Sequence, residues 1–195
     1  CLHLETRTVK QITGVGCRID LPHEHAHRSF KDIAAIIESS AMPEEAGAVA
    51  LAAFELLAGA EAAVHGKNRE EVTFHEVGAL DSILDICLVC RLFYQIRVDR
   101  FVCSPLPLAD GAVFCAHGCI PAPAPAVLRL LEGVPVRGFA GEGETVTPTA
   151  IALLKALGAQ FGPWPELIME KNVISYGSKV FDNAPNGALW ALGTI

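Results

Sequence analysis

An imidazole and three carboxylates lie close together between Phe74 and Asp85, where the sequence reads FHEVGALDSILD. If a helix begins near Asp81, then Asp81 and Asp85 share one face of it, and like charges at that spacing cost about 0.2–0.5 kcal/mol. Asp85 has apolar neighbours, so a bound cation would offset the cost of burying it. Together with His75 and Glu76, these oxygens and nitrogens suit a divalent metal. A structural interpretation is equally compatible, with Asp81 capping the helix and His75 hydrogen-bonded in the core.

Three histidines alternate in the polar stretch His23-Glu24-His25-Ala26-His27. In an extended segment, alternate side chains point to the same side, so His23, His25 and His27 could converge on a divalent metal. A solvated, histidine-rich loop is the alternative, and the residues alone slightly favour it.

Cysteines occur in two close pairs. Cys115-Ala116-His117-Gly118-Cys119 brings two thiols and an imidazole within five residues, with Cys103 as a further thiol. His117 is a candidate ligand or general acid–base, although Cys119 could simply be a small buried residue. Cys87 and Cys90 have CxxC spacing but lie in an apolar helical run rather than at a helix N-terminus, so we predict that they pack in the core.

A glycine- and carboxylate-rich loop leads from Gly141 into Thr147-Pro148-Thr149. Thr147 is a favourable helix cap, and the free N–H groups of such a helix start can bind a phosphate. Glu144 would oppose an anion unless a metal ion bridged the two. We therefore consider Glu144, Thr147 and Thr149 as candidate phosphate contacts, with a solvated loop and an ordinary cap as the equal alternative.

Short strands and helices must position these groups. We predict helices over 29–38, 43–65, 81–96, 124–131 and 147–157, ended or capped by Ser29, Gly66 and Thr147. A paired strand region with a turn at Gly14/Gly16 opens the chain, and short strands are expected at 72–77, 100–104, 112–115, 134–136 and 167–173. The prolines between 105 and 125 favour rigid loops over central strands. The alternation predicts an α/β fold, with a mixed α+β fold as the alternative. We expect a single compact domain over residues 1–195. The position that would suit a break between two sub-lobes is near 66–70.

Composition excludes several classes of function. A net charge of −7 disfavours nucleic acid, and the most apolar stretch, from Gly47 to Val64, contains Glu55 and Glu61, which favours a buried helix over a membrane span. Seven cysteines, an odd number in a chain of 195 residues, favour a reducing cytoplasm over a disulfide scaffold. Because the chain starts at Cys1, we expect a piece of a longer protein.

Several motifs occurring in one order closely resemble the LarC family of nickel insertion proteins. They are FHEVGAxDSIxD at Phe74–Asp85, SPLPL at 104–108, CAHG at 115–118, PxPAPA at 121–126 and TPT at 147–149, with AEAxVHG at 60–66 in support. The resemblance extends from about His23 to Gly193. The N-terminal Gly-Asp-Met run and the C-terminal domain of that family are absent here, and Ala150, Thr145 and Leu189 depart from its usual residues.

The resemblance implies nickel insertion into a pyridinium dithiocarboxylate mononucleotide, with cytidine triphosphate and Mn or Mg used by the full-length protein. It implies a lyase-type cyclometallase whose product, the nickel-pincer cofactor, passes to a lactate racemase-type apoenzyme in the cytoplasm, with no nucleic-acid or membrane partner and with homo-oligomerisation open. On this view His75, Glu76, Asp81, Asp85 and His117 hold or pass the metal, with His75, Glu76, Asp81 and His117 also catalytic. His23, His25 and His27 gather nickel, and the Thr147 helix start faces a phosphate. The alternatives are a nickel metallochaperone without catalysis and a metal-dependent phosphohydrolase.

Overall fold

The structure contains five α-helices among its described residues. The computed structural model describes residues 2–21, 27–74, 77–115, 117–182 and 184–195. Within these residues the helices are α1 (Phe30–Glu38), α2 (Glu44–His65), α3 (Leu80–Ile96), α4 (Pro125–Leu130) and α5 (Pro148–Ala156), with one turn of 3₁₀ helix at Arg69–Glu71. The predicted helices are confirmed to within a few residues at each end.

Short strands alternate with the helices along the chain, which confirms the predicted α/β class. They are β1 (Leu2–Val9), β2 (Ile12–Ile19), β3 (Arg28–Ser29), β4 (Thr73–Phe74), β5 (Val102–Cys103), β6 (Leu106–Asp110), β7 (Ala112–Cys115), β8 (Gly118–Pro121), β9 (Val136–Glu142), β10 (Gln160–Phe161), β11 (Ile168–Tyr176) and β12 (Ala188–Thr194). Strands β1, β2, β11 and β12 form one four-stranded sheet in the order β1-β2-β11-β12. The other strands pair two by two, as β3-β4, β5-β10, β6-β9 and β7-β8.

Helix α2 is the centre of the hydrophobic core. Helices α1, α3, α4 and α5 all contact it, and its alanine-rich surface lets them approach closely. By length and composition α2 could cross a membrane, and it is the one such helix in the described ranges. Phe54 of α2 is fully buried and meets the ring of Phe74 edge to face, with 6.1 Å between the centroids. This packing is that of a core helix and fixes β4 against α2.

The three residues predicted to cap helices, Ser29, Gly66 and Thr147, cap them in the structure. Ser29 caps α1 in a capping box with Asp32, whose carboxylate in turn accepts the Ser29 N–H at 2.9 Å. Gly66 ends α2 in the left-handed conformation, with φ of 62°. Thr147 accepts the N–H of Ala150 at the start of α5. Each satisfies backbone groups that the helix end would otherwise leave unpaired.

The predicted turn at Gly14/Gly16 is wrong, because the β1-β2 hairpin turns at Lys10 and Gln11. Both residues have positive φ, 47° and 67°. Gly14 lies inside β2, where a Cβ would stand 2.4 Å from the carbonyl oxygen of Ile174. The glycine therefore permits the close approach of β11 rather than a turn.

The proline-rich stretch contains strands, contrary to the loops we predicted there. Pro107 lies in β6, which pairs in parallel with β9, and Pro121 lies in β8. Both strands belong to two-stranded sheets, so each has a free edge where a missing N–H costs no ladder bond. The Thr145 hydroxyl donates to the Pro107 carbonyl at 2.6 Å and holds the loop between β9 and α5 against β6.

Candidate metal centre

The pairing of β3 with β4 joins two strands that lie next to predicted ligands in the sequence. Arg28 is the partner of Phe74 in this antiparallel ladder, so His27 directly precedes one paired residue and position 75 directly follows the other. His23, His25, His75 and Glu76 themselves lie outside the described residues, and their roles stay predictions. His27 is described and exposed at the start of β3.

The turn that leads into α3 is held by Arg28. Its guanidinium donates to the Gly78 carbonyl at 2.8 Å. A Cβ at Gly78 would lie 2.7 Å from the Phe74 carbonyl oxygen and 3.2 Å from the Arg28 nitrogen. Only glycine fits this approach, so the Gly78 in the motif serves to fold the chain back from β4 to α3.

Asp81 and Asp85 occupy the first two turns of α3, as predicted. Asp81 accepts the N–H of Ser82 at 2.7 Å, which ties its carboxylate to the positive end of the helix. Asp85 lies at the surface and is only partly buried, not interior as the sequence suggested, because Ile83 and Ile86 take the buried side of α3. Partial burial and the nearby Asp81 charge still raise the pKa of the Asp85 carboxyl.

His117 lies against a histidine that the sequence did not single out. The imidazole rings of His117 and His65 are 5.0 Å apart between centroids and inclined by 36°. His65 Nε2 lies 3.3 Å from Glu61 Oε2, one turn earlier on α2, and both side chains are partly buried. Cys115 Sγ lies 3.9 Å from His117 Nδ1. The end of α2 and the β7-β8 hairpin thus hold four side chains in a row of pairwise contacts: Cys115 with His117, His117 with His65, and His65 with Glu61.

This arrangement offers nitrogen and sulfur donors to a borderline metal ion. Imidazole and thiolate are the ligands that nickel, copper and zinc prefer. A carboxylate paired with a ligating histidine orients the ring and raises its basicity, which is the relation of Glu61 to His65. Within residues 2–21, 27–74, 77–115, 117–182 and 184–195, no three histidine, cysteine or acidic side chains are already arranged to hold a metal.

Cys87 and Cys90 pack in the core, as predicted. Cys90 is buried, and Cys87 packs against the same cluster. Burial raises the pKa of the Cys90 thiol to about 12 and that of Cys87 upwards as well. Neither thiol is therefore poised to ionise at neutral pH.

The loop before α5 is closed by its own hydrogen bonds. The Thr147 hydroxyl lies 3.0 Å from that of Thr149 while capping α5. Lys179 donates to the carbonyl oxygens of Glu142 and Glu144, at 2.8 and 3.2 Å. The local geometry is that of an ordinary capped helix with a cation beside it, and the nucleotide contacts stay a prediction.

A comparison with known proteins decides the family. The sequence model of the nickel insertion protein family matches residues 1–192. The chain belongs to this family. The resemblance inferred from the motifs is confirmed.

Two relatives in this family carry the same descriptive name, pyridinium-3,5-bisthiocarboxylic acid mononucleotide nickel insertion protein. The one from Staphylococcus epidermidis is 38% identical over 185 residues, 95% of this chain and 47% of the relative. The one from Desulfitobacterium hafniense is 40% identical over 179 residues, 91% of this chain and 44% of the relative. The chain thus spans about half the length of the curated relatives it matches. No solved structure matches it.

His65 and Glu61 are the residues of this family member that sequence reasoning missed. Their spacing of four on α2 is visible in the sequence, but nothing local shows that His117 meets them, because the β7-β8 hairpin follows much later in the chain. The AEAxVHG motif at 60–66 was noticed only as part of the resemblance. The signal available in the sequence was Glu61 and His65, four residues apart on a predicted helix and directly before the capping residue Gly66.

Proposed function

We propose that this chain is the metal-handling part of a nickel insertion protein that loads nickel into pyridinium-3,5-bisthiocarboxylic acid mononucleotide. The pairing of His117 with His65, beside Cys115 and Glu61, carries the proposal. Membership of the family supports it, and the names of the relatives supply the substrate. Nickel is here the cargo that passes through the site.

The donor set matches what a transfer site must do. Imidazoles bind nickel firmly enough to collect it, while the thiocarboxylate sulfurs of the mononucleotide are softer and can take it over. His75, Glu76, Asp81, Asp85 and His117 would hold or pass the ion, and His23, His25 and His27 would gather it. We add His65 to this set, with Glu61 orienting its ring.

Formation of the nickel–carbon bond of the pincer requires a base. The ring carbon of the mononucleotide exchanges its proton for nickel, and that proton must leave the site. A neutral imidazole nitrogen can accept that proton as a general base. We assign this role to His117, with His75, Glu76 and Asp81 as the other catalytic candidates.

The same proposal includes the co-substrate, the nucleotide contacts and the recipient of the cofactor. The full-length protein would act as a lyase-type cyclometallase with cytidine triphosphate and Mn or Mg, in the cytoplasm. Glu144, Thr147 and Thr149 would contact the nucleotide or its phosphate. The finished nickel-pincer cofactor would be delivered to a lactate racemase-type apoenzyme.

A nickel titration by calorimetry tests the metal site, with zinc and manganese as comparison ions. We expect tight nickel binding that weakens by about tenfold or more in His75→Ala, His117→Ala and His65→Ala. Glu61→Gln should weaken it by about 10–100-fold, as loss of a carboxylate behind a ligating histidine does.

His3→Ala is the matched control, because His3 is also partly exposed and paired with a carboxylate, 2.8 Å from Asp20, but lies in the four-stranded sheet. Its nickel affinity should equal that of the wild type. Absence of nickel binding, or affinity indifferent to His75, His65 and His117, would contradict the proposal. A chain that binds nickel tightly but is not protected against thermal unfolding by the mononucleotide would be a metallochaperone instead.

A further inference from the structure

An asparagine closes the connection between β11 and β12, whose described residues are 177–182 and 184–187. The Asn186 Oδ1 atom accepts the Phe181 N–H at 2.7 Å, and its Nδ2 donates to the carbonyl oxygens of Phe181 and Ala184, at 2.8 and 3.2 Å. Because one amide group binds both the N–H and the C=O of Phe181, it takes the place of a backbone partner and fixes the position of that residue.

The β11–β12 connection brings a cation to the loop between β9 and α5. The rings of Phe181 and Phe139 of β9 meet edge to face, with 5.2 Å between their centroids. The Lys179 ammonium lies over the same Phe181 ring, 4.8 Å from its centroid. It donates to the carbonyl oxygens of Glu142 and Glu144, at 2.8 and 3.2 Å. Two hydrogen bonds and a cation–π contact therefore hold the ammonium in one place.

Gly143, which lies between these two carbonyls, turns the loop around the lysine. It is buried and has a φ of 78°, a conformation that favours glycine. A Cβ at this position would lie 2.9 Å from Lys179 Nζ. The Gly143 N–H donates to the Asp110 carbonyl at 2.8 Å, which ties the turn to β6. The turn thus directs the carbonyls on both sides of it to one ammonium group.

Lys179 supplies a positive charge that the β9–α5 loop itself lacks. Glu142 and Glu144 bring two carboxylates to this place, and Asp110 is the register partner of Glu142. Among the described residues the ion pairs do not include Lys179, whose two hydrogen-bond acceptors are uncharged carbonyls. Its charge is therefore not paired with a single carboxylate, and it offsets the negative potential around the loop as a whole.

We propose that Lys179 is a positioning residue for the phosphate of the mononucleotide, because it holds the β9–α5 loop in place and offsets carboxylates that would repel an anion. The inference rests on the proposed function, in which Glu144, Thr147 and Thr149 contact the nucleotide or its phosphate. Thr147 follows Glu144 by three residues, so the held carbonyl of Glu144 sets where the paired threonine hydroxyls lie. The charge acts through space, so the ammonium favours a phosphate without leaving its two carbonyls.

Calorimetric titration with the mononucleotide and with its nucleoside, which lacks the phosphate, tests this role. Lys179→Met keeps the side-chain stem and removes the ammonium. We expect its affinity for the mononucleotide to fall about fivefold, the upper end of what an exposed charge contributes, while its affinity for the nucleoside stays unchanged. Lys179→Arg keeps the charge and should retain the preference for the mononucleotide. A lysine that only stabilised the fold would, when replaced, weaken both ligands equally, and that outcome would overturn the proposal.

Lys171→Met is the matched control, because Lys171 is also an exposed lysine but lies in β11, opposite Leu192, and not in the β11–β12 connection. It should bind both ligands like the wild type. Nickel affinity should be the same in all three variants, since the His65–His117 pair lies at the end of α2 and on the β7-β8 hairpin.

The wild type separates this inference from the function on which it rests. A wild type that binds the nucleoside as tightly as the mononucleotide would remove the phosphate contacts of the proposed function, and the role of Lys179 with them. A clear wild-type preference for the mononucleotide that persists in Lys179→Met would overturn the role of Lys179 alone and leave the proposed function standing.

Discussion

At the scale of single residues, the structure distinguishes Asp85 from Asp81, the other aspartate at the start of α3. Asp81 has a hydrogen-bond partner at the helix N-terminus, whereas Asp85 lies one turn later beside that like charge. Partial burial and the Asp81 charge raise the pKa of Asp85, so the ionised form is disfavoured in the folded state. A raised carboxyl pKa means that stability is lost as the pH rises through the folded value.

Asp85→Asn should therefore stabilise the metal-free chain at neutral pH, by about the 0.2–0.5 kcal/mol of a like-charge pair on a helix. The gain should disappear once the pH falls below the usual aspartate pKa of 3.8, where Asp85 is protonated in both the folded and the unfolded chain. Urea unfolding at several pH values measures the difference. Asp81→Asn is the control and should destabilise, because it weakens the contact with the helix end. A loss of stability in Asp85→Asn at pH 7 would show that the carboxylate has a stabilising partner.

At the scale of elements, the close approach of β2 and β11 depends on Gly14. These two strands pair in parallel at Val15–Ser175 and Tyr176–Gly16, and the Tyr176 hydroxyl donates to the Ile12 carbonyl at 3.2 Å. The contact joins the hairpin at the beginning of the chain to the strands at its end. A side chain at position 14 would separate them.

Gly14→Ala should cost about 1–3 kcal/mol, the range for forcing extra atoms into a packed site. Its Cβ would fall 2.4 Å from the Ile174 oxygen and 2.7 Å from the Tyr176 ring. Gly138→Ala in β9 is the control, since a Cβ there meets no atom within 4 Å. Thermal unfolding should separate the two variants clearly. Equal midpoints would mean that β11 can move away from β2 without loss.

At the scale of the whole molecule, α2 connects the core to the candidate metal centre. Its middle holds Phe54 in the core against Phe74, and its end carries Glu61 and His65 beside His117. Phe74 in turn directly precedes the predicted ligands His75 and Glu76. Helix α2 therefore contacts both Phe74, next to the predicted ligands in the sequence, and the His65–His117 pair.

Phe54→Ala should destabilise the chain by about 3–5 kcal/mol, the usual cost of emptying a buried phenylalanine site. In a domain of this size each kcal/mol corresponds to about 2–4 °C in the unfolding midpoint. Phe114→Ala is the control, because Phe114 is 83% exposed on the β7-β8 hairpin and should change little. Calorimetric unfolding compares them. Similar midpoints for the two variants would show that the core does not depend on the Phe54–Phe74 contact.

The features of the fold that depend on neighbouring residues in the chain, such as helix ends, could be predicted from the sequence. Ser29, Gly66 and Thr147 mark helix ends through their own backbone and side-chain chemistry, and the Cys87/Cys90 pair follows from the apolar face of α3. Strand β12 was missed, because its pairing with β11 is a contact between two separate segments that no local pattern indicates. The His65–His117 pair was missed for the same reason, since two distant segments meet there.

The parallel pairing of β2 with β11 also sets an order of events during synthesis. The Tyr176 hydroxyl and the Ile12 carbonyl that it reaches are 164 residues apart along the chain. The β1-β2 hairpin leaves the ribosome before β11 and β12, which emerge only after the five described helices have been made. Closing so long a loop is slow, and an unpaired strand edge invites aggregation in the meantime. The helical core can thus condense first, and the nascent hairpin has to wait, exposed, until the last strands arrive.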